Sequence, residues 1–297
     1  MNRLDLHVHT NISFDGEYAP GELIQMCYEK WLRTVAIADH NSTGAYSSAH
    51  KRAQELRITL VPAVELDCHI HGTDLHILGY GINPFNDAFD QYKKFTLEQE
   101  QKASVIRLEA IRTLGIVVEE ERIQALAIDG VITGEMLAEV ALQDMKNDKQ
   151  PLLIPYRGGG NRSDNPYGNF YWDLCSQGKP AYAPVKFMTL AQAITMIKDA
   201  GGFAVLAHPG ISIGKNAELF QEIVTSGICG VEAYSSYHDV DTIQFYRALG
   251  KEQNVFLTIG SDFHGKTKPA IHLGAFSVQE EEEIHKAFMK QFHKISE

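Results

Sequence analysis

Long apolar stretches are missing from this sequence: no run approaches the roughly 18 residues needed to cross a bilayer. The opening Met1-Asn2-Arg3-Leu4-Asp5 leads into a strand-like segment with no signal-peptide core. The chain therefore reads as cytoplasmic, with no membrane partner. Cysteine is scarce and scattered. Cys27, Cys68, Cys175 and Cys229 form no CxxC pair, which leaves little basis for a disulfide framework or a thiolate zinc site. Basic charge is also short, 27 Lys and Arg against 38 Asp and Glu for a net charge of −11, so no extended nucleic-acid footprint on a broad basic face is expected. Fixed-period repeats and low-complexity tracts are absent. What remains is ample for a core: 44% of 297 residues are hydrophobic, enough for one large α/β domain or two modest ones.

Short apolar, β-branched runs recur at 4–8, 34–38, 60–64, 76–80, 203–207, 230–234 and 256–260, with helix-like stretches between them. This is the pattern of a parallel sheet with crossover helices, and seven such runs suit a closed or nearly closed α/β barrel. The alternation breaks between about Asn86 and Pro180. Helical patterns over 87–114, 119–128 and 134–146 predict an insertion there, ending in a Gly/Pro/Asn-rich irregular loop around 155–166. The expected organisation is a barrel first part at 1–85, a helical insertion covering the active site at 86–180, and a barrel second part at 181–297. The acidic run Glu280 to Glu283 opens a final helix, where carboxylates suit the positive dipole end.

Metal-competent side chains fall at the ends of these runs. His7 and His9 close the first, Asp39 and His40 follow the second, Glu65 follows the third and His76 opens the fourth. His208 follows the fifth, Glu232 lies within the sixth, and Asp262 and His264 follow the seventh. Strand ends on one face of a barrel bring such residues into one pocket. Residues two apart on a strand project the same way, so His7 and His9 can grip one cation together. Burying so many titratable groups without cations would carry a heavy desolvation cost. Imidazole and carboxylate without sulfur suit manganese, iron or zinc, and the ligands exceed one coordination sphere, so two or three divalent ions are expected. A carboxylate such as Glu65 can bridge two of them, and closely spaced ions can generate a hydroxide at neutral pH.

These motifs resemble the polymerase and histidinol phosphatase (PHP) superfamily: Asp5-Leu6-His7-Val8-His9-Thr10 with Ser13-Phe14-Asp15-Gly16, Ala38-Asp39-His40-Asn41, Pro62-Ala63-Val64-Glu65, His76-Ile77-Leu78-Gly79-Tyr80, Ala207-His208-Pro209-Gly210 and Gly260-Ser261-Asp262-Phe263-His264. The resemblance implies a distorted seven-stranded (β/α)7 barrel, a trinuclear metal site and hydrolysis of phosphate esters. It also implies one metal at His7, His9, Glu65 and Asp262, a second at Glu65, His76 and His208, and a third at Asp15, His40 and His264. The insertion is similar to that of the branch with small nucleotide phosphatases and cyclic phosphodiesterases. Gly134-Glu135-Met136 stands where nucleotide-cleaving members often carry Arg-Pro-His, which makes a phosphorylated sugar or a cyclic phosphate competitive with a nucleotide.

Other residues are assigned roles around this cluster. Arg157 and Arg162 flank a triple glycine and are expected to present guanidinium forks to substrate phosphate. Lys266 and Lys268, just beyond His264, are further phosphate candidates. His238 is a candidate general acid for a leaving alkoxide, beside Asp262 as the catalytic carboxylate. Glu232 and Asp39 are expected to orient metal-binding histidines. His69 and His71 repeat the HxH spacing, but fall in an expected hairpin around Gly72 and read as structural.

The leading expectation is hydrolysis of a small phosphorylated substrate by a metal-bridging hydroxide. One alternative is an exonuclease trimming short oligonucleotides, which needs basic or aromatic groups in a groove. Another is a non-enzymatic metal-binding partner subunit, against which the full ligand set argues. The sequence leaves the oligomeric state open.

Overall fold

The computed structural model describes residues 3–276 and 278–296. Its strands are β1 (Arg3–Val8), β2 (Leu32–Ile37), β3 (Thr59–Ile70), β4 (Thr73–Tyr80), β5 (Met188–Thr189), β6 (Phe203–Leu206), β7 (Gly230–Ser235) and β8 (Phe256–Gly260). They form one sheet in the order β1-β2-β3-β4-β6-β7-β8, with the short β5 pairing beside β3. Past its last residue the β8 segment returns to β1. The Asp262 amide donates to the His7 carbonyl at 2.8 Å and the His9 amide to the Phe263 carbonyl at 2.9 Å. The sheet thereby curls into a nearly closed seven-strand barrel.

Helices α1 (Pro20–Glu29), α2 (Tyr46–Leu56), α7 (Leu190–Asp199), α8 (Pro209–Ser212), α9 (Ala217–Thr225), α10 (Val240–Glu252) and α11 (Glu281–Ser296) surround the barrel strands. Every residue of β6 and β7 is buried, as strands covered on both faces require. The main core runs from Leu66 and Tyr80 out to Ile197, Phe220 and Phe288, and a second apolar cluster fastens α1 and α2.

One expectation needs correcting: the sheet is not wholly parallel. β3 and β4 form an antiparallel hairpin turning at His71 and Gly72, whose φ values are +49° and +77°. β4 is also antiparallel to β6. An apolar run of this length buries equally well in either direction, so its pattern carries no sign. The reversal explains why His76 can join the others although it precedes most of its strand: the start of β4 lies beside the end of β3, with His76 paired to Asp67.

The insertion carries α3 (Asp87–Thr113), α4 (Glu120–Leu126), α5 (Gly134–Gln143) and α6 (Pro166–Phe170), the last continuing into a π-helical turn over Tyr171–Cys175. The helical patterns expected over 119–128 and 134–146 are shorter in the structure, because the chain turns extended at Ala127 and Asp144. The segment around 155–166 begins in a 3-10 turn over Pro151–Tyr156. An apolar cluster including Leu108, Leu137, Leu153 and Phe170 lies within this part of the chain. Tyr92 ties α3 to the barrel by donating to the Asp67 carbonyl at 2.6 Å and accepting from the Met188 amide at 3.1 Å.

Candidate metal centre

Barrel closure puts His7 and His9 of the β1 end against Asp262 and His264 beyond β8. Both ring tautomers of the first pair follow from their neighbours. His7 Nδ1 lies 3.0 Å from Glu232 Oε1 and donates to it, which frees Nε2 as an acceptor. His9 Nδ1 lies 3.0 Å from Ser13 Oγ, whose own proton goes to Asp39 at 2.9 Å, so His9 donates to the serine and its Nε2 is also free. Asp39 further accepts from the Thr10 amide and hydroxyl, both at 2.7 Å.

The two free nitrogens, 3.1 Å apart, each lie within 3.3 Å of Glu65 Oε2 and Asp262 Oδ1. Four donor atoms thus converge, ready to face one cation once His7 gives up its Nε2 proton, and all four residues are buried. Glu65 Oε2, Asp262 Oδ1, Asp67 Oδ1, Asp15 Oδ1, His40 Nδ1 and His208 Nδ1 are buried without a hydrogen-bond partner. Orphaned acceptors facing one another at this density fit cations, and the nitrogen and oxygen set fits divalent ones.

Three further groupings share these residues: His9, His40 and His264; His40, Asp67 and His76; and Glu65, His76 and His208. Glu65 stands between two of the four, with His76 Nδ1 and His208 Nε2 each 3.1 Å from its Oε1. Asp15 meets His264 Nε2 at 3.1 Å. Backbone in the left-handed region recurs where strands hand over to this site, with φ of +53° at Asn41, +22° at His208 and +56° at Asp262. Such conformations are uncommon for side-chain-bearing residues and cluster at functional sites.

The electrostatics are those of a tightly balanced cluster. Burial disfavours charge on His7, yet Glu65, Glu232 and Asp262 outweigh it and raise its pKa well above the usual value. Burial likewise opposes charge on His40, but Glu65 and Asp67 raise it to about 10. His9 goes the other way: burial, then the neighbouring His264, lower it to about 4. Burial pushes Glu65 and Asp262 up, but the surrounding histidines, and for Asp262 first Lys268, hold both well below the carboxylate range.

Beside the cluster opens a cavity of about 410 Å³, lined on one side by Asp15, His40, Asp67, His76, His208 and Lys268 and on the other by the insertion's Lys93, Glu100, Arg107, Glu135, Tyr171 and Trp172. Lys268 is buried, with Nζ 2.9 Å from Asp262 Oδ2. Glu232 also accepts from the His208 amide at 2.9 Å, linking His7 to the turn that carries His208.

Four residues assigned roles from the sequence stand elsewhere. Arg157 donates to the Leu142 carbonyl at 3.0 Å, and Arg162 grips Asp173 with two bonds of 2.9 and 3.0 Å; neither lines the cavity. The glycine-flanked loop folds back on the insertion because these guanidinium groups find acceptors there. Lys266 pairs with Glu139 at 2.9 Å and is also outside the cavity. His238 has both nitrogens engaged, Nδ1 donating to the Ala233 carbonyl and Nε2 accepting from the Gly210 amide, each at 2.9 Å. It fastens the His208 turn and has no proton to give to a substrate.

Sequence reasoning missed Asp67, which sits 3.4 Å from His40 Nδ1 and 3.3 Å from His76 Nε2. The signal was available: Asp67 lies two residues after Glu65 on a strand, hence on the same face. Tyr237, whose hydroxyl donates to Asp262 Oδ2, was also missed, and nothing in its spacing marks it.

The barrel rim thus gathers histidines and carboxylates around orphaned acceptors, a set that fits divalent cations. Residues 5–125 match the PHP domain family. The chain is 27% identical to a 3',5'-nucleoside bisphosphate phosphatase from Chromobacterium violaceum, covering 89% of this chain and 88% of that one. It is 24% identical to a phosphoribosyl 1,2-cyclic phosphate 1,2-diphosphodiesterase from Eggerthella lenta (91% and 97% covered) and 28% identical to a 5'-3' exoribonuclease from Escherichia coli (91% and 87%). Among solved structures, a Chromobacterium violaceum protein described as an amidohydrolase, with sulfate bound and no metal, shares the fold with a TM-score of 0.76 at 23% identity, covering 96% of each chain. Among the described residues, no helix is long and apolar enough to cross a membrane.

Proposed function

We propose that this chain hydrolyses small phosphate esters using two or three divalent cations held by His7, His9, Asp15, His40, Glu65, Asp67, His76, His208, Asp262 and His264. The observation that carries this reading is the convergence of buried, partnerless nitrogen and oxygen atoms beside one cavity. Bound divalent cations supply Lewis acidity and lower the pKa of a coordinated water.

The chain's own residues do the rest. Glu232 and the Ser13–Asp39 pair hold the His7 and His9 rings so that their Nε2 atoms aim inward. The Lys268 ammonium faces Asp262 at the cavity wall, where it can also meet a phosphoryl oxygen and balance charge that grows as the ester bond breaks. The insertion, residues 86–180 in this reading, walls the cavity opposite the cluster and limits the size of the ester that fits.

Oligonucleotide trimming is the second reading, favoured by exoribonucleases among the relatives. The net charge of −11 favours short substrates in that case too. Protein grown with added Mn²⁺ or Fe²⁺ should carry two or three ions per chain and release phosphate from p-nitrophenyl phosphate. Asp262→Asn should lower that turnover by orders of magnitude with the fold intact. Less than one ion per chain, or unchanged turnover in the variant, would remove the reading. Preference for a 5'-phosphorylated oligoribonucleotide over all small esters would replace it with the second one.

A further inference from the structure

The cavity extends well beyond the cluster, and its far side has a chemistry of its own. Thr96, Glu100 and Arg107 lie on one face of α3 at helical spacing and all line it. Away from the cluster, the charged side chains in its wall are Lys93, Asp74, Glu100, Arg107 and Glu135. Arg107 is committed: its guanidinium donates to the Ile132 carbonyl at 2.6 Å and meets Glu100 at 3.3 Å, while its buried Nε has no acceptor. Glu135, at the start of α5 and 7% exposed, feels the charge of Lys268 but forms no ion pair among the described residues. Lys93 and Asp74 also line this wall, which thus carries two cationic side chains against three carboxyls. The residues expected from sequence to supply guanidinium groups, Arg157 and Arg162, are held inside the insertion. Aromatic surface lies alongside, from Tyr171 and Trp172, with ring centroids 5.2 Å apart, and from Phe187.

A wall with carboxyl acceptors, one committed guanidinium, hydroxyls and aromatic rings suits an uncharged ring bearing hydroxyl or N–H groups. It does not suit a second phosphate dianion, which would meet an excess of carboxyls and no free guanidinium fork. We propose that this side of the cavity binds the neutral, hydrogen-bonding ring of a singly phosphorylated substrate, that Glu100, Arg107 and Glu135 determine specificity for it, and that bisphosphorylated molecules are disfavoured. The inference rests on the phosphoesterase reading and narrows its substrate class. A sugar and a nucleobase present the same chemistry to these residues.

The test uses the full Mn²⁺-loaded chain with p-nitrophenyl phosphate, glycerol 3-phosphate, ribose 5-phosphate, adenosine 5'-monophosphate and adenosine 3',5'-bisphosphate. Ribose 5-phosphate or the adenosine monophosphate should show a KM about 10-fold below that of ringless glycerol 3-phosphate, and a kcat/KM at least about 10-fold above that of the bisphosphate. Which of the two leads tells sugar from nucleobase. Glu135→Gln should raise KM for the preferred ester about 10-fold with kcat little changed, a split that loss of folding would not produce. Trp31→Phe leaves Trp172 as the single tryptophan, so adenosine or ribose added without metal should change its fluorescence, independently of turnover. A bisphosphate that matches or exceeds both monophosphates, or an unchanged KM in Glu135→Gln, would overturn the inference while leaving the phosphoesterase reading intact. No turnover of any ester, p-nitrophenyl phosphate included, would instead defeat that reading and this inference with it.

Discussion

Glu232 binds no partner outside the protein in this account, yet two of the contacts that shape the site pass through it: it accepts from His7 Nδ1 at 3.0 Å and from the His208 amide at 2.9 Å. Glu232→Gln keeps the shape but lets the His7 ring lose its fixed tautomer, so metal affinity should fall about 10-fold to 100-fold. Titration of chelator-treated protein with Mn²⁺ checks this, and an unchanged affinity would remove Glu232 from the positioning role. Asp5 offers a pH-dependent test. It accepts from the Ser261 and Gly274 amides, both at 2.9 Å, yet burial raises its pKa from 3.8 to about 6. Because the folded value lies above the unfolded one, its stabilisation is complete below about pH 3.8 and is lost as pH rises through about 6. In metal-free protein the stability gap between wild type and Asp5→Asn should therefore narrow by up to about 3 kcal/mol from pH 4 to pH 7, as urea unfolding would measure; a widening gap contradicts the assignment. His7, His9 and Glu65 were legible because metal-competent types at strand ends are informative wherever the strand runs. Arg157 and Arg162 were not, because a guanidinium beside glycines satisfies an internal carboxylate as readily as a ligand.

At the level of elements, the seven apolar runs and the helical insertion could be read from periodicity, whereas the direction of β4 could not. The hairpin expected around Gly72 is present and carries the reversal, but the apolar runs on either side of it have the same pattern in either direction. Helix ends in the insertion were also hidden, since Ala127 and Asp144 leave the helix without a proline or glycine to announce it. In β8 a single residue shows how closely elements and site are fitted. A methyl group on Gly260 would lie 2.1 Å from Glu232 Oε1 and 2.3 Å from His7 Cβ. Gly260→Ala should therefore push β7 and β1 side chains apart, lowering Tm by several degrees and reducing bound metal, where calorimetry and metal analysis give the readout. Wild-type values for both would mean that the strand shifts freely enough to absorb the clash.

Across the whole molecule, the site is a stability element as well as a chemical one. His7 and His40 hold protons more tightly than usual in the protein alone, so cation binding must release them and should strengthen as pH rises. At free Mn²⁺ about 1,000-fold above Kd, one bound ion adds about 4 kcal/mol, and Tm should climb with metal concentration and fall on chelation. A Tm indifferent to metal would mean that no ion distinguishes folded from unfolded chain. Barrel closure adds a consequence about time. The donors that face one another across the β1 and β8 ends, His7 and His9 with Asp262 and His264, are separated by nearly the whole intervening chain. During synthesis the first pair leaves the ribosome long before the second exists, and contacts of such sequence separation form late in folding. The four-donor cage of His7, His9, Glu65 and Asp262 thus cannot exist on a nascent chain that has not reached Asp262, and a protein starved of metal in the cell would accumulate as finished chains awaiting a cation, not as stalled intermediates holding one.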